Sequence, residues 1–216
     1  MKINVTVPNN LSEITLRQYK HFLKIQKNVD DETFLNAKII EIFCKLELKN
    51  VMRLKVEDTQ LIVNTLTKMF EQKPKLVKTF KLNNLNYGFH PKLDDLTLGE
   101  YIDLDNFIGD WENIEKAMAV LYRPIVSKVK DKYIIEEYKI EKDNEILDMP
   151  MEAVLSSIFF LWNLGLDLSE ATMNYLDKAE GQTLTPHQIS QINGGGITQF
   201  TDSLRETLQD LKISLN

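Results

Sequence analysis

Three histidines and one cysteine are the side chains best suited to nucleophilic or metal chemistry, and their spacing argues against both. His21, His90 and His187 stand far apart, with no H-E-x-x-H or H-x-H spacing to put two imidazoles on one metal ion. His21 falls in an amphipathic stretch, His90 at a strand end and His187 in a polar segment, so we read each as structural or solvent-exposed. Cys44 follows Phe43 in a helical pattern and reads as a small packing residue. No local signature supports a Cys–His nucleophilic pair. From Asp94 to Glu115 the chain carries eight acids (Asp94, Asp95, Glu100, Asp103, Asp105, Asp110, Glu112, Glu115) and no lysine or arginine. Paired carboxylates bind divalent cations or do acid–base work, and Asp103-x-Asp105 invites comparison with an EF-hand loop. The comparison fails, because Phe107 takes the third acidic position and Gly109 falls one residue late. Most of these acids fall in first helical turns, where the helix dipole favours them. A protein-docking surface is the second reading of the run.

The segment Lys45 to Lys81 has the opposite character, nine cations against four acids. A nucleic-acid patch is its sharper reading, but interleaved aromatics and a Gly-rich clamp are both missing. Segments of opposite sign can also meet within the fold or between subunits. Gly194, Gly195 and Gly196 precede a last helical stretch, yet Ile197 and Thr198 follow where a phosphate cradle needs Lys and Ser or Thr. That run reads as a hinge. The chain has no G-x-S-x-G, C-x-x-C or dinucleotide fingerprint. We assign no catalytic, cofactor-binding or metal residue, and expect a non-enzymatic protein without a cofactor.

Composition bounds the class. The chain has 216 residues, 43% apolar and 27% charged, enough for a sizeable core in one domain or two small ones. One cysteine excludes a disulfide scaffold and a cysteine-based zinc site. A net charge of −6 disfavours a broadly basic nucleic-acid binder. Only Arg17, Arg53, Arg123 and Arg205 supply guanidinium forks, the other cations being lysine. Residues 1–8 lack the apolar run of a signal peptide. The most apolar stretch, Ile158 to Leu166, is shorter than the roughly 20 residues of a membrane span. We therefore expect a chain that is neither secreted nor membrane-spanning.

The elements follow from hydrophobic period. Ile3, Val5 and Val7 alternate with Lys2, Asn4 and Thr6, predicting a half-buried strand stopped by Pro8. Thr15 and Gln18 stand at capping-box spacing before a helix to about Lys27. A second helix starts after Asp31 with Leu35, Ile39, Ile42, Phe43 and Leu46 on one stripe. A third covers about Glu57 to Gln72, with Leu61, Ile62, Leu66, Met69 and Phe70 on one face. Phe80, Leu82, Leu85 and Tyr87 flank Asn83-Asn84, which predicts a hairpin pairing Leu82 with Leu85 and Phe80 with Tyr87. Thr97 and Glu100 form a second capping box, and Gly109 ends that helix. Asp110 caps the next, whose stripe is Trp111, Ile114, Met118 and Leu121. Residues 127–148 are charge-rich and give no clear period.

Pro150 opens a helix with Met151, Val154, Leu155, Ile158, Phe159, Leu161 and Trp162 over a wide face. That face is central to the core, with Leu155, Phe159 and Trp162 among the least accessible residues. Gly165 is its expected terminator, and Ser169 the cap of a further helix. The fold class is α+β, mainly α-helical, with one small antiparallel sheet of the N-terminal strand and the hairpin. We divide the chain into a mainly helical domain (1–180), a flexible connection (181–196) and a separate C-terminal amphipathic helix (197–216). Phe200, Leu204, Leu208 and Leu211 form that helix's stripe and are the candidate partner-binding residues, since a lone helix this short must dock on something.

One echo links the two capping boxes. Residues 11–19 match residues 93–101 in character, each a turn after a proline-ended strand, a staple apolar residue (Ile14 or Leu96), a capping box and a buried tyrosine (Tyr19 or Tyr101). The match fits a duplicated half-motif or two good helix starts. The hairpin Phe80–Phe89, the stretch Leu96-Thr97-Leu98-Gly99-Glu100-Tyr101-Ile102-Asp103-Leu104 and the stretch Ala117-Met118-Ala119-Val120-Leu121-Tyr122-Arg123-Pro124 together resemble small proteins of tailed bacteriophages. The resemblance covers residues 1–180 loosely and 78–124 best. It implies a virion component or an assembly factor of the tail, baseplate or neck. The expected partners are other phage structural proteins or a second copy, and the expected location is the virion or host cytoplasm. No small-molecule substrate is implied. The alternative is a nucleic-acid-associated phage accessory protein using Lys45–Lys81.

If both boxes form, Thr15→Ala and Thr97→Ala should each cost about 1 kcal/mol of unfolding free energy in denaturant titrations. A loss near zero at either site would place that helix start elsewhere.

Overall fold

A computed structural model describes residues 3–139 and 144–178. Among these, seven α-helices surround and flank one four-stranded antiparallel sheet. Helices α1 (Leu16–Gln26), α2 (Glu32–Phe43), α3 (Leu48–Val51) and α4 (Val56–Phe70) come first. Strands β1 (Thr79–Leu82) and β2 (Leu85–Phe89) follow, then α5 (Leu98–Phe107) and α6 (Ile114–Leu121), then β3 (Tyr122–Val129) and β4 (Lys132–Ile135). Helix α7 (Met151–Lys178) closes the described chain. The expected class, α+β and mainly helical, is the observed one.

Both capping boxes form. The Thr15 and Thr97 hydroxyls accept from the N–H of Gln18 and Glu100, and those side chains accept the cap N–H in return. Each cap is preceded by a 3-10 turn, Leu11–Glu13 or Leu93–Asp95, so the echo extends to backbone conformation. It stops at the tyrosines. Tyr19 is fully buried against Phe70 and Trp111, at centroid distances of 5.4 and 5.1 Å, whereas Tyr101 is exposed. The first box is tied to α7 by strand-like bonds around Thr15 and Pro150. The Leu16 N–H donates to Met149 O at 3.0 Å, and the Met151 N–H to Ile14 O at 2.8 Å.

The hairpin has the expected register, Leu82 opposite Leu85 and Phe80 opposite Tyr87, with Asn83 and Asn84 at φ 47° and 66°. Two positive φ values in a two-residue loop match the right-handed twist of the strands, and asparagine tolerates them. The N-terminal strand is not found. Residues 3–8 alternate in burial as expected, and Val5 and Val7 pack on the core, but they pair with no strand. Alternation decides which side chains face inward; a ladder also needs a partner edge. The sheet, ordered β1-β2-β3-β4, takes its other two strands from 122–135, part of which had shown no clear period.

Four further expectations change. Helix α6 begins after Asn113, because Asp110 spends its carboxylate on the preceding turn, accepting from the Glu112 N–H and the Asn113 side chain. Helix α7 is continuous through Gly165 and Ser169. A glycine costs a helix only about 1 kcal/mol, and Gly165 is buried. Leu155 is buried, but Phe159 and Trp162 are only partly so, because α7 leaves the core as it extends. Leu61 of α4 is likewise exposed. Met151–Leu168 is consequently long and apolar enough to cross a membrane by length and composition, yet half of that window is buried inside the protein, as in a core helix. The divisions at 181–196 and 197–216 lie outside the described residues.

Gly88 is closely approached by its neighbours in the sheet. A Cβ there would lie 2.5 Å from Tyr133 Cε2 and 3.0 Å from Ile125 Cγ1. The Tyr133 hydroxyl donates to Phe89 O at 2.7 Å, which holds the ring in place. Gly88→Ala should therefore lower stability by about 1–3 kcal/mol. An unchanged melting temperature would show that Tyr133 does not pack on β2.

Candidate functional site

The most developed polar arrangement joins α5, β3 and the end of β2. Glu100 Oε2 accepts the Thr97 N–H at 2.7 Å, and Oε1 lies 2.8 Å from an Arg123 guanidinium nitrogen. Both side chains are more than nine-tenths buried. Glu100 thus has two tasks, capping the start of α5 and neutralising a buried cation. Gln18 in the first box also has a second task, donating to Ile42 O of α2 at 2.6 Å. His90 sits beside the pair, its backbone N–H donating to Leu121 O at 2.7 Å. The Tyr138 hydroxyl donates to Asp103 at 2.7 Å on the next turn of α5.

Burial opposes ionisation of Glu100, but the two Thr97 bonds and the Arg123 charge outweigh it and hold the carboxyl below its ordinary range. Burial also lowers the His90 pKa, and Arg123 adds to the effect against the pull of Glu100 and Asp95. Burial, then the bond to Asp103, raises the Tyr138 phenol. At neutral pH the cluster is a neutral imidazole beside a matched ion pair. Its chemistry is that of a lock between elements: the carboxylate and guanidinium occupy one another.

The other candidates scatter. Cys44 is buried at the end of α2, and burial pushes its thiol up to about 11, which leaves it unreactive at neutral pH. His21 is exposed on α1. His187, Phe200, Leu204, Leu208 and Leu211 lie outside the described residues. The acidic run is largely consumed within the fold. Glu115 and Glu112 pair with Lys20 and Lys27 of α1, Glu100 with Arg123, and Asp95 with Lys92. No three of its acids converge with a geometry able to hold a metal ion among the described residues. Its ion pairs do not reach Lys45–Lys81, whose cations stay on the surface of α3, α4 and the chain after them.

Two surfaces emerge that sequence reasoning missed. The first is the β3–β4 hairpin. The β2–β3 ladder ends at Tyr87 opposite Pro124, and proline has no N–H with which to continue it. Beyond that point the two hairpins part around a cleft of about 460 Å³ lined by Phe80, Lys81, Asn86, Ile125, Val126 and Lys128. A bulge sets Val126 and Ser127 against Ile134. Val126, Ile134 and Val129 are 58%, 64% and 70% exposed. The second surface is the outer face of α5, where Leu98, Tyr101 and Ile102 are exposed at i, i+3, i+4 spacing. Glu100 takes the buried side of α5, which leaves the apolar trio outward.

No protein-family model, curated protein or solved structure matches the chain.

The cluster predicts acid sensitivity. A group whose folded pKa is depressed loses its stabilising contribution as pH falls. For His90 the loss begins near an unfolded imidazole pKa of about 6.5, and for Glu100 near about 4.3. The melting temperature should fall from pH 7 to pH 5.5, and His90→Asn should flatten that arm; a rise on acidification contradicts the His90 environment. Glu100→Gln strands a buried guanidinium and should cost about 3–5 kcal/mol, with Glu100→Gln/Arg123→Met losing less than the single change. A double-variant loss equal to the sum of the Glu100→Gln and Arg123→Met losses would show the pair uncoupled.

Proposed function

We propose that this chain is a non-enzymatic structural or assembly protein of a tailed bacteriophage, acting in the tail, baseplate or neck through protein–protein contacts. The β3–β4 hairpin supports the contact role most directly. It offers exposed Val126, Val129 and Ile134 on an arm that leaves the sheet at Pro124. Exposed apolar side chains on such an arm are a cost in a lone chain and a gain once covered. The short edge strand β4 can also accept a further strand from a partner. The phage assignment itself is supported by the resemblance over residues 78–124. The C-terminal stripe Phe200, Leu204, Leu208 and Leu211 remains a second candidate contact.

The test is assembly of phage particles with Val126→Lys/Ile134→Lys. Both positions are solvent-exposed, so the variant should fold normally by circular dichroism and fail to enter, or to help build, the particle. Stoichiometric wild-type chain in purified virions by mass spectrometry identifies a structural part. Its absence together with loss of tails on deletion identifies an assembly factor. Normal particle yield and morphology after deletion would overturn the reading.

A further inference from the structure

We propose that the outer, cleft-side face of the two hairpins binds duplex DNA through its phosphates. This activity goes beyond the protein-contact reading, and it uses the side of the β3–β4 ribbon away from Val129 and Ile134.

Charge is the first observation. Residues 72–93 and 124–135 hold eight lysines and a single acid, Asp131, in a chain of net charge −6. Lys92 pairs with Asp95. The other seven lysines are exposed, and none forms an ion pair among the described residues. The acids that flank these segments lie beyond the ladders. Glu71 caps the end of α4, Asp94 and Asp95 belong to the turn before α5, and Glu136 and Glu137 follow β4 and line the separate hollow beside Arg123. Lys81 and Lys128, one from each hairpin, line the cleft together with Thr79, Asn86 and Ser127, and no acid lines it.

The register sorts the side chains by face, since opposed residues of an antiparallel pair share a face and so do residues two apart on a strand. Lys81 opposes Asn86 and Thr79 opposes Gly88, on the side of β1–β2 away from Leu82 and Tyr87, which face the core. Lys128 opposes Tyr133, whose ring reaches Gly88 on that same outer side, and Val129 and Ile134 fall on the other. The exposed groups of the cleft face are therefore cationic or polar, with Val126 at the bulge the apolar exception. A phosphate backbone rewards that composition, whereas a protein interface needs an apolar centre. The shape agrees. β3–β4 is a two-stranded ribbon closed by the turn Lys130-Asp131, with Lys130 at φ 56°, and a major groove about 12 Å wide admits such a ribbon. Neither hairpin exposes an arginine, Phe80 stacks on Tyr87 at 5.5 Å, and Tyr133 packs on Gly88. With no guanidinium fork to read a base edge and no free ring to take an unpaired base, the contact is with the duplex backbone and is independent of sequence.

The experiment titrates the full chain into a fluorescein-labelled, random-sequence duplex of about 30 bp, read by anisotropy across about 50 to 300 mM salt. Wild type should bind with a Kd of roughly 10 μM or tighter at the low end, and log affinity should fall linearly with log salt. Lys81→Gln/Lys128→Gln, at exposed positions, should keep the fold by circular dichroism, weaken binding at least about tenfold at low salt and reduce the salt slope by about two. Lys55→Gln/Lys68→Gln removes the same charge from exposed positions on and before α4 and should leave both quantities near wild type. No binding to about 100 μM chain at the lowest salt overturns the proposal. So does equal weakening by the two double variants, which would reduce the effect to overall charge, and so does loss confined to Lys55→Gln/Lys68→Gln, which would move the contact to α4. A poly-glutamate peptide that binds more tightly than the duplex, with the same dependence on Lys81 and Lys128, would give the cleft to an acidic protein segment and overturn the DNA assignment.

Discussion

The first two turns of α7 must be kept dry on nearly every side, and the rest of the molecule is arranged around that demand. Met151, Ala153, Val154, Leu155, Ser156, Ser157 and Ile158 are all fully buried, and Glu152 alone in that stretch keeps partial exposure. A helix with so narrow a solvent face needs a cover from several directions at once. The 3-10 turn and start of α1 supply one through the paired bonds at Thr15 and Pro150. Met118 of α6 lies on Ser157, and Phe160 meets Phe89 of the sheet edge-on at 5.6 Å. The two serines cause no deficit, because each donates to a carbonyl one turn back and Ser156 also accepts the Val77 N–H at 3.0 Å. Tyr122 completes the seal, its hydroxyl donating toward Val77 O at 2.8 Å and Ala153 O at 3.2 Å.

That packing explains where polar groups had to be spent. Arg123 follows Tyr122 and alternates to the other side of β3, where α5 covers it. An unpaired guanidinium there would be untenable. The capping carboxylate of α5 is therefore also its counter-ion, which fixes the rotation of that helix about its axis. With Glu100, Leu104 and Ile108 inward, Leu98, Tyr101 and Ile102 have nowhere to go but outward. The exposed apolar face is a consequence of the buried ion pair. In the same way Pro124, two residues after Tyr122, ends the β2–β3 ladder and releases the β3–β4 hairpin from the sheet.

Much of the fold was legible from residues because its causes are local. The capping boxes at Thr15 and Thr97, the Asn83-Asn84 turn, the hairpin register and the stripes of α2 and α6 each depend on groups within one turn or one two-residue loop. Trp111, Ile114, Met118 and Leu121 are all buried, as their spacing requires. The candidate site was barely legible. Neither the contact of Glu100 with Arg123 nor the exposure of Tyr101 leaves a mark on periodicity, since Tyr19 and Tyr101 occupy equivalent places in near-identical local patterns.

The sequence by itself determined where helices begin, where the chain turns and which side chains of most elements are apolar. Those outcomes are set by hydrogen bonds and steric limits acting between residues a few positions apart. The tertiary structure decided which apolar faces found a cover, whether the extended residues 3–8 gained a partner edge, and whether α7 ran on past Gly165. It also decided that a charge-rich segment should supply the outer strand and that the acids of 94–115 should divide between α1, Arg123 and the surface. These are competitions between distant parts of the chain for a limited buried volume, and a local pattern states each competitor's preference without stating which one is satisfied.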